Sequence, residues 1–498
     1  MDPDRSQPEA PPGVVRVVLV ALAAGYLLLY LVLAWQRVPY PFELEWLEGS
    51  VVDVVRRLLE GEPIYVKPSV EFASHGYTPL YYWVSAAVAR LTGLGFLPLR
   101  LVSFASILGV FALLFALAKR ETGSAFAGLV AAGMFAATFR EAGAWFDIAR
   151  VDSLFLLLTL AAAWAARFGI GGRGAAVASG LLFFLAYLAK QSALLVAACV
   201  GVWWLLASRR RAVVFGAAFA LPLLASAWIL DRVYDGWYIY YTVETISEHP
   251  VLWQLAVPFW VQYVLRPIPV AFGVAAWFLA RRLFEGSRQA WFHPALAAGM
   301  VGVAWSSRMH LGGYDNVAMT AYAVISLHFA LGLHEAAGLL ARRVARPRAA
   351  VASLWLAAVI QLGWLAYDPR LQVPTAADRA AGEELLERLR AIDGEVYLPF
   401  HGHLAELAGK RSYAHTSNVR DVMQTNDEEL KAELMESIEA AFREKRFAAV
   451  VWDFGRIQWE ELPRNYEPLP GRIFDEPRVF KPVTGARLRP ETIYVPRK

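Results

Sequence analysis

The sequence predicts a polytopic α-helical membrane protein, with about eleven transmembrane helices and a small α/β domain at its C-terminal end. Three observations carry that expectation. Hydrophobic residues fill 57% of the 498 positions and charged residues only 18%, with a mean hydropathy of +0.39; a soluble chain of this length carries more polar surface. Apolar runs of bilayer length recur through the first three-quarters of the chain. After Tyr367 the composition shifts and no such run remains.

The spans are expected at 14–36, 100–118, 124–139, 152–168, 174–189, 191–208, 212–230, 260–280, 289–305, 317–340 and 349–366. The first is too long for a signal-peptide core and reads as an anchor. The pair meeting at Lys190-Gln191 is short and reads as a hairpin. Basic clusters then orient the chain. Lys119-Arg120, Arg167 with Arg173, Arg209-Arg210-Arg211, Arg281-Arg282 with Arg288, and Arg342-Arg343 with Arg346 and Arg348 all fall in alternate loops. Placing those loops inside satisfies the positive-inside rule. A further span at 79–93 would break the alternation, so "PLYYWVSAAVARLTG" is expected to lie at the outer interface, where its aromatic residues belong. This puts 37–99, 140–151, 231–259, 306–316 and the C-terminal domain on the outer side of a cytoplasmic membrane.

The net charge of +4 and pI near 9.0 are mild, and the arginines sit in loops, so the basic balance reflects topology and not nucleic-acid binding. Cys199 is the only cysteine, which excludes an intrachain disulfide and a cysteine-based metal site. Within 367–498 the pattern predicts a helix over 376–391, a strand "GEVYLPF", a second helix over 427–445 with Asn426 as its cap, and a strand "FAAVVWDF". This domain is expected to cover the cleft and help choose the acceptor.

The stretch "FELEWLEGS" puts Glu43, Glu45 and Glu48 just beyond the first span, among Phe42, Leu44, Trp46 and Leu47. Such acids are either solvated loop residues or a general base held in a partly desolvated cleft. "VVDVVRRLLEG" follows as a short amphipathic helix. Cations on the same side are Arg140, Arg150, Lys190 and Arg232, with His249; an arginine suits a phosphate oxygen best, and the alternative is a headgroup-binding residue. In "FDIARVDSL", Asp152 reads as a helix-start acid or as a partner that holds Arg150. "YIYYTVETISEHP" and "SRMHLGGYDN" add aromatics, Glu248, His249, Arg308, His310 and a Gly-Gly turn. His401, His403 and His415 lack an accompanying thiol and read as hydrogen-bonded histidines, not as a zinc site. The absence of a glycine-rich phosphate loop argues against a nucleotide donor.

"LEGSVVDVVRRLLEGEPIY", "YTPLYYWVSAAVARLTGLGFLPLRLVSFAS", "ARVDSLFLLLTLAAAW", "AYLAKQSALL" and "RMHLGGYDNVAM" occur in this order. The series resembles the GT-C superfamily of membrane glycosyltransferases, and within it glycosyltransferase family 39, the protein mannosyltransferases and lipid A aminoarabinose transferases. The resemblance implies an inverting transfer of a sugar from a polyprenyl-phosphate carrier to a glycan, lipid or protein acceptor at the outer face. It also implies that an acid of the first outer loop acts as general base. Glu48 matches the second member of the family's acidic pair; Leu47 stands at the first, and Glu45 is the replacement carboxylate two residues upstream. Glu45 and Glu48 are thus the catalytic candidates. Glu43, Tyr77, Arg150, Asp152, Lys190, His249 and His310 are the substrate-binding ones. Tyr77 stands where the aminoarabinose enzymes carry a lysine. No metal-ligand set is assigned and no cofactor is implied, a divalent ion (Mg or Mn) being the one candidate left open. The alternatives are a lipid-linked sugar transporter or flippase and a polysaccharide polymerase. A transporter calls for broken helices and internal repeats, and the sequence signals neither.

Overall fold

The computed structural model describes residues 13–169, 172–343, 346–453 and 457–498. Each apolar run becomes a helix: α1 Gly13–Arg37, then, after α2 Glu48–Glu60 and α3 Leu80–Thr92, α4 Phe96–Thr122, α5 Ala125–Ala137, α6 Asp152–Phe168, α7 Gly172–Ala189, α8 Ala193–Ala207, α9 Arg209–Val233, α10 Pro269–Phe284, α11 Phe292–Met309, α12 Met319–Arg343 and α13 Pro347–Trp364. Five helical stretches among the described residues are at once long and apolar enough to cross a bilayer, in α1, α4, α7, α9 and α12. α12 is the axis of the bundle. It packs against α4, α5, α10, α11 and α13, and its apolar window is 94% buried. α9 is the opposite case, with Leu221, Leu224 and Trp228 exposed; an apolar surface of that kind belongs against lipid.

The expected span 260–280 is corrected. A π-helical stretch, Trp260–Leu265, precedes a bend of 102° into α10. Pro267 and Pro269 lack the N–H groups that would carry a helix across. Gln361 of α13 repairs the break: its amide oxygen accepts from Val270 and Ala271 N–H at 2.9 and 3.2 Å, and its amide nitrogen donates to Pro267 O at 3.0 Å.

Loops at one end of the bundle are tied by basic residues. Arg167 donates to Glu121 and to Gln289 O, Arg281 and Arg282 meet Glu335, and Trp203 donates to Arg288 O. At the other end lie α2, α3, the turn 138–151 and the segment 234–268. α2 buries Val51, Val52, Val54 and Val55 and stops at Gly61, whose φ of +77° ends the helix by turning its N–H back onto Arg57 O and Leu58 O.

The chain beyond α13 covers this second end. Its helices are α14 Ala376–Ala391, α15 Gly402–Leu407, α16 Thr416–Val422, α17 Glu428–Arg443 and the short α18 Glu461–Asn465. Its four strands, β1 Val396–Tyr397, β2 Ala449–Asp453, β3 Tyr466–Pro468 and β4 Pro490–Pro496, form one sheet in the order β1-β2-β4-β3. β1 and β2 are parallel, while β4 runs antiparallel to both of its neighbours. α14 has the predicted bounds, set by a reciprocal cap between Thr375 and Asp378. α17 buries Leu430, Leu434, Ile438 and Phe442 as its spacing predicts. Its cap is Asp427 and not Asn426: the Asp427 carboxylate accepts from Leu430 N–H at 3.0 Å, and Asn426 N–H donates to Glu248 at 2.9 Å. Phe454, the last residue of the second predicted strand, lies outside the described residues.

Candidate active site

Glu48 opens α2 and is fully buried. The Arg100 guanidinium grips it with two bonds, Nε to Oε1 at 2.9 Å and Nη2 to Oε2 at 2.6 Å. Leu44 N–H donates to Oε2 at 2.7 Å and Ala149 N–H to Oε1 at 2.8 Å. Burial alone would raise this carboxyl, but the Arg100 charge and these donors hold it below the ordinary value. Arg100 spends its remaining N–H groups on Arg37 O, Tyr40 O and Phe42 O. Glu48 therefore pins the first loop to α4 and to the turn before α6. That turn carries Arg150.

Glu45, three residues earlier, has a different environment. It is 1% exposed and borders a cavity of about 680 Å³. Its partners are Leu47 N–H at 3.2 Å and Arg150 Nη1 at 3.3 Å. Burial pushes its carboxyl up to about 8 against the pull of Arg150, and the Glu48 charge adds to the rise. Gly485, at φ +71°, lies directly on Glu45. A Cβ there would stand 2.8 Å from Glu45 Cγ, so only a residue without a side chain fits.

Two cations meet at the same cavity. Arg150 Nη2 donates to the Tyr77 hydroxyl at 3.3 Å, and its buried Nε has no partner among the described residues. Lys190, in the break between α7 and α8, donates to Asp152 at 2.7 Å. Asp152 also accepts from Trp145 Nε1 at 3.1 Å. The two charges lie 5.7 and 5.9 Å from the centre of the Tyr77 ring. The arrangement offers an anion two cationic donors beside the Glu45 carboxylate, with the Asp421 carboxylate in the same lining.

Of the sequence candidates, Glu45, Tyr77, Arg150, Lys190, His249 and His310 all line this cavity. Asp152 stands behind Lys190, and it is Lys190 that it holds. Glu48 stands behind the loop. Glu43 faces away, to the His401 imidazole, whose other nitrogen meets Asp453 at 2.9 Å. Burial lowers and the two carboxylates raise the His401 value, to about 10, so it is an imidazolium clamped between acids. His403 lies 3.8 Å from Asp53 and His415 bonds Phe400 O at 2.8 Å. Among the described residues no three His, Cys, Asp or Glu side chains converge to hold a metal ion. Arg140 pairs with Glu141 at the rim of a separate 360 Å³ pocket, and Arg232 is exposed on α9.

Sequence reasoning missed Trp145, Tyr314 and Asn316 in the wall, and above all Arg420, Asp421, Gln424 and Gly485 from the C-terminal region. Trp145 directly precedes "FDIARVDSL", and Tyr314 and Asn316 lie inside "SRMHLGGYDN", so all three were within reach. Nothing local marks the C-terminal residues.

Comparison with known proteins places this architecture. Residues 74–230 match the family of dolichyl-phosphate-mannose-protein mannosyltransferases. No curated protein sequence matches the chain. In fold it is similar to ArnT from Cupriavidus metallidurans bound to undecaprenyl phosphate, at 12% identity over 95% of this chain and 97% of that one, with a TM-score of 0.59. The apo state of the same protein gives 0.57. The archaeal oligosaccharyltransferase AglB from Archaeoglobus fulgidus, in complex with an inhibitory peptide and a dolichol-phosphate, aligns at 14% identity over 89% of this chain and 69% of that one, with a TM-score of 0.52. Fold and matched segment make the chain similar to membrane glycosyltransferases of the GT-C class. Within that class the chain resembles the family 39 glycosyltransferases, as its loop motifs imply.

Proposed function

We propose that this protein is a membrane glycosyltransferase that moves a sugar from a polyprenyl-phosphate carrier to a hydroxyl acceptor at the outer face of the cytoplasmic membrane. The reading takes the eleven apolar runs as spans, the one at 260–280 being bent at 266–268, with residues 1–366 as the membrane part and 367–498 as an outer domain. The observation that carries it is the convergence of Glu45, Arg150 and Lys190 on one cavity beside apolar helices.

In the proposed step the donor phosphate lies between Arg150 and Lys190, with the sugar's anomeric carbon toward Glu45. The Glu45 carboxylate takes the acceptor hydroxyl proton as that oxygen bonds to the anomeric carbon from the face opposite the leaving group. The bond to the carrier phosphate breaks with its electron pair, and the two cations stabilise the charge that develops there. Attack from the opposite face inverts the anomeric configuration. An incoming phosphate also competes with Glu45 for Arg150. Loss of that contact makes Glu45 a stronger base once the donor is bound. Glu48 is a positioning residue, which holds the Arg150 turn through Ala149 N–H.

The test is turnover in proteoliposomes with whichever polyprenyl-phosphate sugar the wild type uses. Glu45→Gln is expected to lower kcat by about 10²-fold or more while undecaprenyl phosphate still raises the melting temperature. A fully active Glu45→Gln enzyme removes the base assignment. An Arg150→Gln, Lys190→Gln double variant that still binds undecaprenyl phosphate like the wild type removes the phosphate site.

A further inference from the structure

The C-terminal chain does not merely roof the cavity. α16 and the turn after it put Arg420, Asp421 and Gln424 into its wall, and His249 from the segment before α10 completes that side. His249 is 8% exposed, and its Nε2 has no hydrogen-bond partner among the described residues. That nitrogen lies 3.8 Å from Asp421 Oδ1. The separation is too long for a hydrogen bond between them. It is the right span for a third group that bonds both at once.

We infer that Asp421, His249 and Gln424 form a hydroxyl-reading subsite that binds the sugar ring of a glycan-bearing acceptor. An alcohol is donor and acceptor together, so it gives its proton to the Asp421 carboxylate or to the imidazole and accepts from whichever nitrogen carries hydrogen. Asp421 and Gln424, three residues apart, suit adjacent hydroxyls. Trp46 and Tyr77 in the same lining supply faces for a sugar ring. Burial keeps His249 below the ordinary imidazole value, so it meets the ligand uncharged. A bound hydroxyl pairs the buried His249 nitrogen that otherwise lacks a partner among the described residues. The assignment to the acceptor rests on the proposed function: the carrier phosphate occupies the Arg150–Lys190 side, and Asp421 and Gln424 enter the cavity from the C-terminal chain that covers it.

The experiment uses the full chain in nanodiscs preloaded with undecaprenyl phosphate and a panel of methyl glycosides as probes, read by saturation-transfer NMR and titration. At least one glycoside is expected to bind, and Asp421→Asn and His249→Gln are each expected to weaken it about tenfold. Melting curves and undecaprenyl phosphate binding should stay at wild-type values, which separates lost recognition from lost fold; should Asp421→Asn unfold, His249→Gln alone decides. No glycoside binding to the wild type, or equal binding by folded variants, overturns the subsite. Failure of undecaprenyl phosphate itself to bind overturns the proposed function instead, and leaves a glycoside result to be judged separately.

Discussion

Glu45 and Glu48 are three residues apart and chemically identical, yet their surroundings divide the work. Glu48 accepts five hydrogen bonds, two from Arg100 and one each from the Leu44, Glu45 and Ala149 N–H groups, and is held low; Glu45 accepts two and is held near 8. The sign of each shift gives a test. A base must be ionised to act, so kcat/KM should rise with pH through about 8 and level off above it, a limb absent in Glu45→Gln. Because the folded Glu45 value exceeds the unfolded one, folding loses stability as pH rises from the ordinary 4.5 toward 8. Glu45→Gln should therefore melt higher than wild type at pH 8, with little difference at pH 5. Glu48 behaves oppositely. Its depressed value contributes stability above 4.5 that is lost as pH falls. Glu48→Gln leaves Arg100 buried without a countercharge and should cost about 3–5 kcal/mol, visible as lost folded yield in detergent. A normal melting curve for Glu48→Gln would remove its positioning role.

The elements show how much could be read from the sequence. α14 was legible to the residue, since a capping box and a four-residue apolar rhythm are local signals. The apolar runs were legible because a bilayer demands length and little else. The break at 266–268 was not, although Pro267 and Pro269 were in plain view. Hydropathy continues smoothly across them, and what stabilises the bend is Gln361, more than 90 residues away. Gln361→Leu should leave Val270 and Ala271 N–H unpaired and lower the melting temperature by several degrees, whereas Gln361→Glu, which keeps an acceptor, should lose less. The same limit explains the site. Charge patterning brought Glu45 and Glu48 forward together; Arg100, which tells them apart, is 52 residues from Glu48. Arg420 and Asp421 sit in an ordinary polar stretch whose importance comes only from where α16 docks.

Over the whole molecule, the C-terminal region is bolted to the first loop. Asp453 and His401 hold Glu43, Arg446 and Arg411 meet Glu71, Ser412 donates to Asp53 at 2.7 Å, and Asn418 donates to Ala73 O at 2.7 Å. A domain attached this way is not free to tilt. A chain ending near Tyr367 uncovers Glu43 and the apolar face of α2, and it should bind undecaprenyl phosphate far more weakly than the full chain in a thermal-shift assay. Near-normal binding would mean that the membrane part holds its own loop.

Gly485 resting on Glu45 has a consequence in time. Glu45 leaves the ribosome long before the glycine that covers it; at ~5–20 residues per second the interval is on the order of tens of seconds. Throughout it the nascent chain carries the Glu45 side chain without the glycine that covers it. On the proposed function, a chain stalled before Gly485 therefore holds an incomplete site.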